Sequence, residues 1–236
     1  HRTWGFPISE RFSTYLFPLH AGPYKVWTDA DSKIPSRLFA RRSLEAHIDA
    51  EEWFAATRFG LKFFQEYFDY PYPYHKYDQL LVPEHAGGAM ENVAAVTFSD
   101  QWLVQRGEST SKERDSRVMM IFHEMAHMWF GNLVTMRWWN GLWLNESFAT
   151  YMAALARTHY PPTADQAWIR FRKSFKDWAY TEDQLVTTHA IETPVPDTSK
   201  AFSNFDGISY GKGASVLKQL SFYLGAEIFR NGIRHY

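Results

Sequence analysis

The pentapeptide His123-Glu-Met-Ala-His127 limits what this chain can be more than any other stretch. At 3.6 residues per turn, His127 lies about 40° around a helix from His123 and one turn along, so both imidazoles reach one ion. Glu124 falls about 60° beyond His127 on the same side, at the border of such a site, where a base for a water activated at a metal belongs. A second reading stands beside this one: Met120, His123, His127 and Phe130 also form a stripe that a core would bury. Two ligands do not complete a catalytic zinc site, which takes three protein ligands and an open position. A third donor is present in "NGLWLNESFATY". There Glu146 follows His127 with eighteen residues between them, and turn signals at Gly131 and Asn140-Gly141 let the chain return beside the first helix. The spaced carboxylate favours the metal reading over the core stripe.

Other ligand chemistry is excluded by composition. The 236 residues contain no cysteine, so disulfides, thiolate zinc sites and thiol catalysis are all ruled out. Twenty-five basic and 26 acidic side chains leave a net charge of -1, which offers no bulk attraction for nucleic acid or an anionic membrane. No stretch approaches the length of a membrane span, and "HRTWGFPISERF" lacks the basic-then-apolar order of a signal peptide. The compartment stays open, with the lack of cysteine and leader leaning to the cytoplasm. The start at His1 and the stop at "NGIRHY" suggest a piece of a longer protein.

The pattern predicts an α+β fold, with strands first and helices after. Residues 13–19 and 43–48 read as strands. Asp49 and Glu52 form a capping-box pattern before Phe54, Leu61, Phe64 and Phe68 at helical spacing, and Pro71 and Pro73 end that helix. Residues 77–82 and 93–98 read as strands around a glycine-containing loop. Thr110 and Glu113 open a helix that carries HEMAH and closes at Gly131. A further helix runs from Leu142 to Tyr160 before Pro161 and Pro162, and Thr163 with Gln166 marks another start. Residues 193–207 read as loop ahead of a last helical stretch.

With HEMAH, the downstream "NES" and the earlier "GGAMEN" (87–92) in this order, the chain resembles the M1 family of zinc aminopeptidases of the aminopeptidase N type. The resemblance covers about residues 50 to 225. It implies a thermolysin-like catalytic domain over 49–236, mainly helical with a small sheet whose edge strand carries GAMEN, preceded in 1–48 by the last strands of a β-domain. It implies one Zn2+ per chain on His123, His127 and Glu146, with Glu124 as the general base. Tyr210, in "ISYGKGAS", matches the family tyrosine that hydrogen-bonds the oxyanion. A neutral phenol suits that task, because a donor aimed at developing charge contributes several kcal/mol.

Gly87, Gly88, Ala89, Met90, Glu91 and Asn92 match the substrate-binding stretch. The resemblance gives Glu91 the substrate's free α-amine, which is largely cationic at pH 7 while an internal peptide nitrogen is not. The backbone of 87–89 would pair with an extended peptide, and Met90 would line the first side-chain pocket. The implied partner is a peptide with a free N-terminus. Three features set these 236 residues apart from the full family pattern: its second amine-binding group and its large C-terminal helical domain are expected to lie outside them, and His85 stands where an aromatic residue is usual. The competing activities are an epoxide hydrolase of the leukotriene A4 hydrolase kind, whose motif is GGMEN followed by proline, a thermolysin-like endopeptidase, and an inactive zinc-binding fragment. Thr150, one turn after Glu146, is a candidate second-layer partner for a ligand, weighed against simple packing.

Overall fold

The computed structural model describes residues 3–162 and 164–236. Its five-stranded mixed sheet has the order β1-β2-β3-β5-β4, built from β1 (Tyr24–Asp29), β2 (Ser36–Arg41), β3 (Tyr77–Val82), β4 (Ala89–Met90) and β5 (Ala95–Ser99). β1 and β2 are antiparallel neighbours. β2 runs parallel to β3, with Leu38 opposite Gln79, and β3 runs parallel to β5, with Leu80 opposite Thr97. β4 is antiparallel to β5, pairing Ala89 with Phe98 and Met90 with Thr97, and forms one edge of the sheet. Strands from both sides of residue 48 therefore share one sheet.

Two expected strands are corrected. Within 13–19 the chain forms a 3-10 turn at Thr14–Leu16, and 43–48 lies in another at Arg42–His47. The strands in this part of the chain are β1 and β2. In β2, Ser36, Leu38 and Ala40 are buried and alternate with less buried residues, the period-2 pattern of a half-buried strand.

The helices follow the capping signals closely. Helix α1 (Ala50–Phe68) starts at Asp49, whose carboxylate accepts from the N–H groups of Glu51 and Glu52. The reciprocal half of a capping box is replaced by an ion pair, since Glu52 meets Arg117 at 3.0 Å. Asp69, in the left-handed region at φ 53°, ends α1 ahead of the prolines. A short helix α2 (Asp100–Leu103) leads to α3 (Ser111–His127), where Thr110 and Glu113 form both halves of the capping box. Helix α4 (Leu142–Arg157) stops one turn short of Tyr160, with Arg157 turned into a buried ion pair with Asp115 at 2.5 Å.

Thr163 lies outside the described residues; beyond it a 3-10 turn at Ala164–Gln166 leads into α5 (Ala167–Phe171) and a π-helical turn at Arg172–Lys176. Helix α6 (Asp177–Glu182) follows, and the expected loop at 193–207 carries one short helix, α7 (Thr198–Phe202). A second π-helical turn, Ile208–Lys212, enters α8 (Gly213–Leu224), and α9 (Ala226–His235) ends the fold.

The core sits where α1 and α3 cover the sheet. Trp53, Phe64, Phe98 and Phe122 are fully buried there, and Phe64 stands edge-on to Phe122 with centroids 6.4 Å apart. Burying side chains of this size contributes about 1.5–3 kcal/mol each, which holds α3 rigidly against the sheet. α3 in turn lies along α4. No helix among the described residues is long and apolar enough to cross a membrane.

Candidate metal centre and active site

HEMAH occupies the last turns of α3, where His123, Glu124 and His127 are all buried. Glu146 enters from the first half of α4 and is buried as well. The three donor atoms converge. His127 Nε2 lies 3.1 Å from His123 Nε2, and Glu146 Oε2 lies 3.3 Å from His123 Nε2 and 3.4 Å from His127 Nε2. Tetrahedral zinc with bonds of about 2.0–2.1 Å requires its ligand atoms to be roughly 3.3 Å apart, so this donor set fits the ion. The orientation of the ring nitrogens is compatible with that. His127 Nδ1 donates to the Phe130 carbonyl at 3.0 Å, and His123 Nδ1 faces Thr150 Oγ1 at 3.4 Å, which leaves both Nε2 atoms turned to the centre. Both histidines are buried, as a core stripe would have them, but their Nε2 atoms face one another and a carboxylate, which favours the metal reading.

A second cluster shares His127. Ligand atoms of Glu91, Glu124 and His127 all lie within 4.8 Å of one another. Burial raises the Glu124 carboxyl well above its ordinary range; His127 pulls it down, while Glu91 and Glu146 push it further up. Glu91 is raised by burial too. Burial opposes protonation of His127, but the carboxylates of Glu91, Glu146 and Glu124 outweigh it and lift this imidazole to about 10. Three carboxyl groups around one imidazole mark a place where positive charge is strongly favoured.

Tyr210 sits in the Ile208–Lys212 turn with its ring stacked over His123, centroids 5.9 Å apart. Burial, then Glu146, Glu91 and Glu124, hold its phenol well above 10, so it is a neutral donor at pH 7. The turn can approach α4 and the 172–176 segment only because it carries glycine: a Cβ at Gly211 would lie 2.2 Å from the Phe175 carbonyl oxygen.

Two residues of GAMEN lie at the edge of the sheet beside α3. Ala89 and Met90 are the residues of β4, and the Gly88 carbonyl accepts from Ser99 N at 2.9 Å. His85 Nδ1 lies 2.9 Å from the Gly87 carbonyl, so the unusual histidine folds back on the glycine turn. Asn92 faces away from the metal ligands: its amide donates to the Leu16 carbonyl at 3.2 Å and accepts from Thr97 Oγ1 at 2.8 Å. The same Thr14–Leu16 turn places Tyr15 against Trp139, 5.1 Å between centroids, and 3.4 Å from Asn145 Nδ2, next to Glu146.

Sequence reasoning missed Tyr15 and Asn132. Asn132 donates from Nδ2 to the Glu91 carbonyl at 2.9 Å across 41 positions of sequence. Its neighbour Gly131, at φ 134°, makes the reversal after α3, and a Cβ there would come within 3.0 Å of His127 Nδ1.

Comparison with known proteins agrees with this geometry. Residues 54–236 match the Peptidase family M1 domain. Over 99% of its length the chain is 48% identical to aminopeptidase N of Streptomyces lividans, of which it spans 28%. It is 38% identical to tricorn protease-interacting factor F2 of Thermoplasma acidophilum and 37% identical to a leucyl aminopeptidase of Saccharolobus solfataricus, in each case over 98% of the chain and 29% of the relative. The chain thus spans under a third of the length of these relatives, and over that span it belongs to peptidase family M1.

Proposed function

We propose that this chain is the catalytic part of a zinc aminopeptidase, thermolysin-like in architecture, which removes N-terminal residues from peptides. The observation that carries this reading is the buried meeting of a His123-His127-Glu146 donor set with Glu124 and Glu91, one carboxylate in excess of what metal binding and proton transfer need. His123, His127 and Glu146 would hold the ion. Zinc at that set supplies a Lewis acid that polarises the scissile carbonyl and makes water acidic near neutral pH.

This chain's own residues perform the remaining steps. Glu124 takes the proton of the attacking water and passes it to the leaving amine, a task that suits a carboxyl raised by burial. Tyr210 donates to the oxygen on which negative charge develops. Glu91 binds the α-ammonium of the substrate, and the surplus carboxylate is what separates a chain end from a chain middle. The backbone of Gly87, Gly88 and Ala89, at the open edge of the sheet, pairs with the extended peptide, and Met90 lines the pocket for its first side chain.

The test is turnover of a leucyl anilide beside its N-acetylated form and a lipid epoxide, with zinc present. Hydrolysis of the free-amine anilide alone is expected. Equal hydrolysis of the acetylated anilide would make this an endopeptidase-type site, turnover of the epoxide alone would favour the epoxide hydrolase, and no turnover by a zinc-loaded chain would make this stretch a binding domain.

A further inference from the structure

We propose that Asn132 is a positioning residue for amine recognition, holding Glu91 in register with the metal-ligand helix. The proposal rests on the reading of Glu91 as the amine site. β4 ends at Met90, so Glu91 is the first residue beyond the sheet ladder. The direction of its side chain depends on the setting of the peptide units on either side of it. The carbonyl at that position accepts the Asn132 Nδ2 donation at 2.9 Å. On its other side Asn132 is tied to the metal site, because its backbone N–H donates to the His127 carbonyl at 3.0 Å. One residue thus links the backbone of a zinc-ligand candidate to the backbone of the amine-site candidate.

The environment of Asn132 argues that the amide is there for its donor. The side chain is 4% exposed, and its Oδ1 is buried without a hydrogen-bond partner among the described residues. An unpartnered buried carbonyl is unfavourable, and a leucine, with the same branched skeleton, would avoid it. What sets the asparagine apart from that apolar alternative is its Nδ2 group, which donates to the Glu91 carbonyl at 2.9 Å and makes only a weak second contact with Met128 Sδ at 3.6 Å. The far side of the GAMEN stretch is fixed independently, by Asn92 Nδ2 and the Val93 N–H donating to the Leu16 carbonyl at 3.2 and 3.3 Å. Losing the Asn132 bond therefore frees Glu91 on the metal side alone.

The experiment measures binding of leucine hydroxamate and of 4-methylpentanohydroxamate, the same molecule without its amine, to the zinc-loaded chain. Wild type, Asn132→Leu and Glu91→Gln are compared, with zinc content and thermal midpoint recorded for each. The ratio of the two affinities is insensitive to partial unfolding, since both ligands see the same folded fraction. Wild type is expected to prefer the amine form, Glu91→Gln to abolish that preference, and Asn132→Leu to reduce it about tenfold with zinc content retained. If Glu91→Gln abolishes the preference while Asn132→Leu keeps it, the positioning role is overturned. If Glu91→Gln also keeps it, the amine-site reading fails and this proposal with it. Should Asn132→Leu not fold, Asn132→Ser is read by the same ratio.

Discussion

At the scale of single residues, the meeting of His123, His127 and Glu146 was legible because its information is local. Helical spacing brings His123 and His127 to one face, and a fixed interval returns Glu146 to them; the 3.1–3.4 Å separations are the outcome of that arithmetic. Residues acting through partners far along the chain gave no such signal. Asn132 meets Glu91 across 41 positions and Tyr15 meets Asn145 across 130, and nothing in either neighbourhood announces the contact. Thr150 is intermediate: its place one turn after Glu146 allowed a contact with a ligand but favoured simple packing, and the buried hydroxyl lies 3.4 Å from His123 Nδ1. Thr150→Val keeps the volume and removes that acceptor. Zinc affinity, measured by competition with a chromophoric chelator, is expected to fall about tenfold or more; an unchanged affinity would make Thr150 a packing residue.

At the scale of elements, capping chemistry was the dependable signal and short apolar runs were not. Thr110 and Glu113 delivered the start of α3, and Asp49 that of α1. The runs at 13–19 and 43–48 misled because both are turns whose few apolar side chains anchor them, Leu16 and Leu44, while Phe17 and Leu19 stay exposed. β1 and β2 were missed because charged residues hid the alternation: Lys25 and Asp29 share the more buried face of β1 with Trp27, and Arg37 and Arg41 lie on the open face of β2. The Ile208–Lys212 turn was legible only as a Tyr-x-Lys-Gly resemblance, since its need for glycine arises from the distant Phe175 carbonyl. Gly211→Ala is expected to displace Tyr210 and lower kcat by about tenfold or more, read in steady-state kinetics, with zinc content preserved.

The strands also make an alkaline prediction. Burial holds the phenols of Tyr72 and, on β3, Tyr77 well above 10. Above pH 10 the unfolded chain loses protons that the folded one keeps, so stability is complete below that pH and falls as pH rises past it, by about 1.4 kcal/mol per pH unit for each phenol. The Tyr77 hydroxyl has no hydrogen-bond partner among the described residues. Tyr77→Phe should therefore be neutral or stabilising at pH 7 and should flatten the alkaline limb of a thermal-midpoint profile.

For the whole molecule, the site lies where three separate parts of the chain meet: the sheet edge with GAMEN, the end of α3, and the first half of α4. The buried core of α1 and α3 fixes the histidines, and the space they face between α3 and α4 is lined by carboxylates. Glu91, Glu124 and Glu146 surround one imidazole there, an arrangement in which a bound cation offsets mutual repulsion. Removing zinc with a chelator is expected to lower the thermal midpoint by roughly 10 °C, since an ion at a thousand times its dissociation constant contributes about 4 kcal/mol. The central claim is that His123, His127 and Glu146 are the ligands of one zinc ion, and the measurement that tests it most directly is the zinc content of purified wild type and Glu146→Gln under limiting metal. The account predicts one zinc per wild-type chain and a sharply weakened hold in the variant. A folded wild-type chain that takes up no zinc, even after reconstitution, would contradict it.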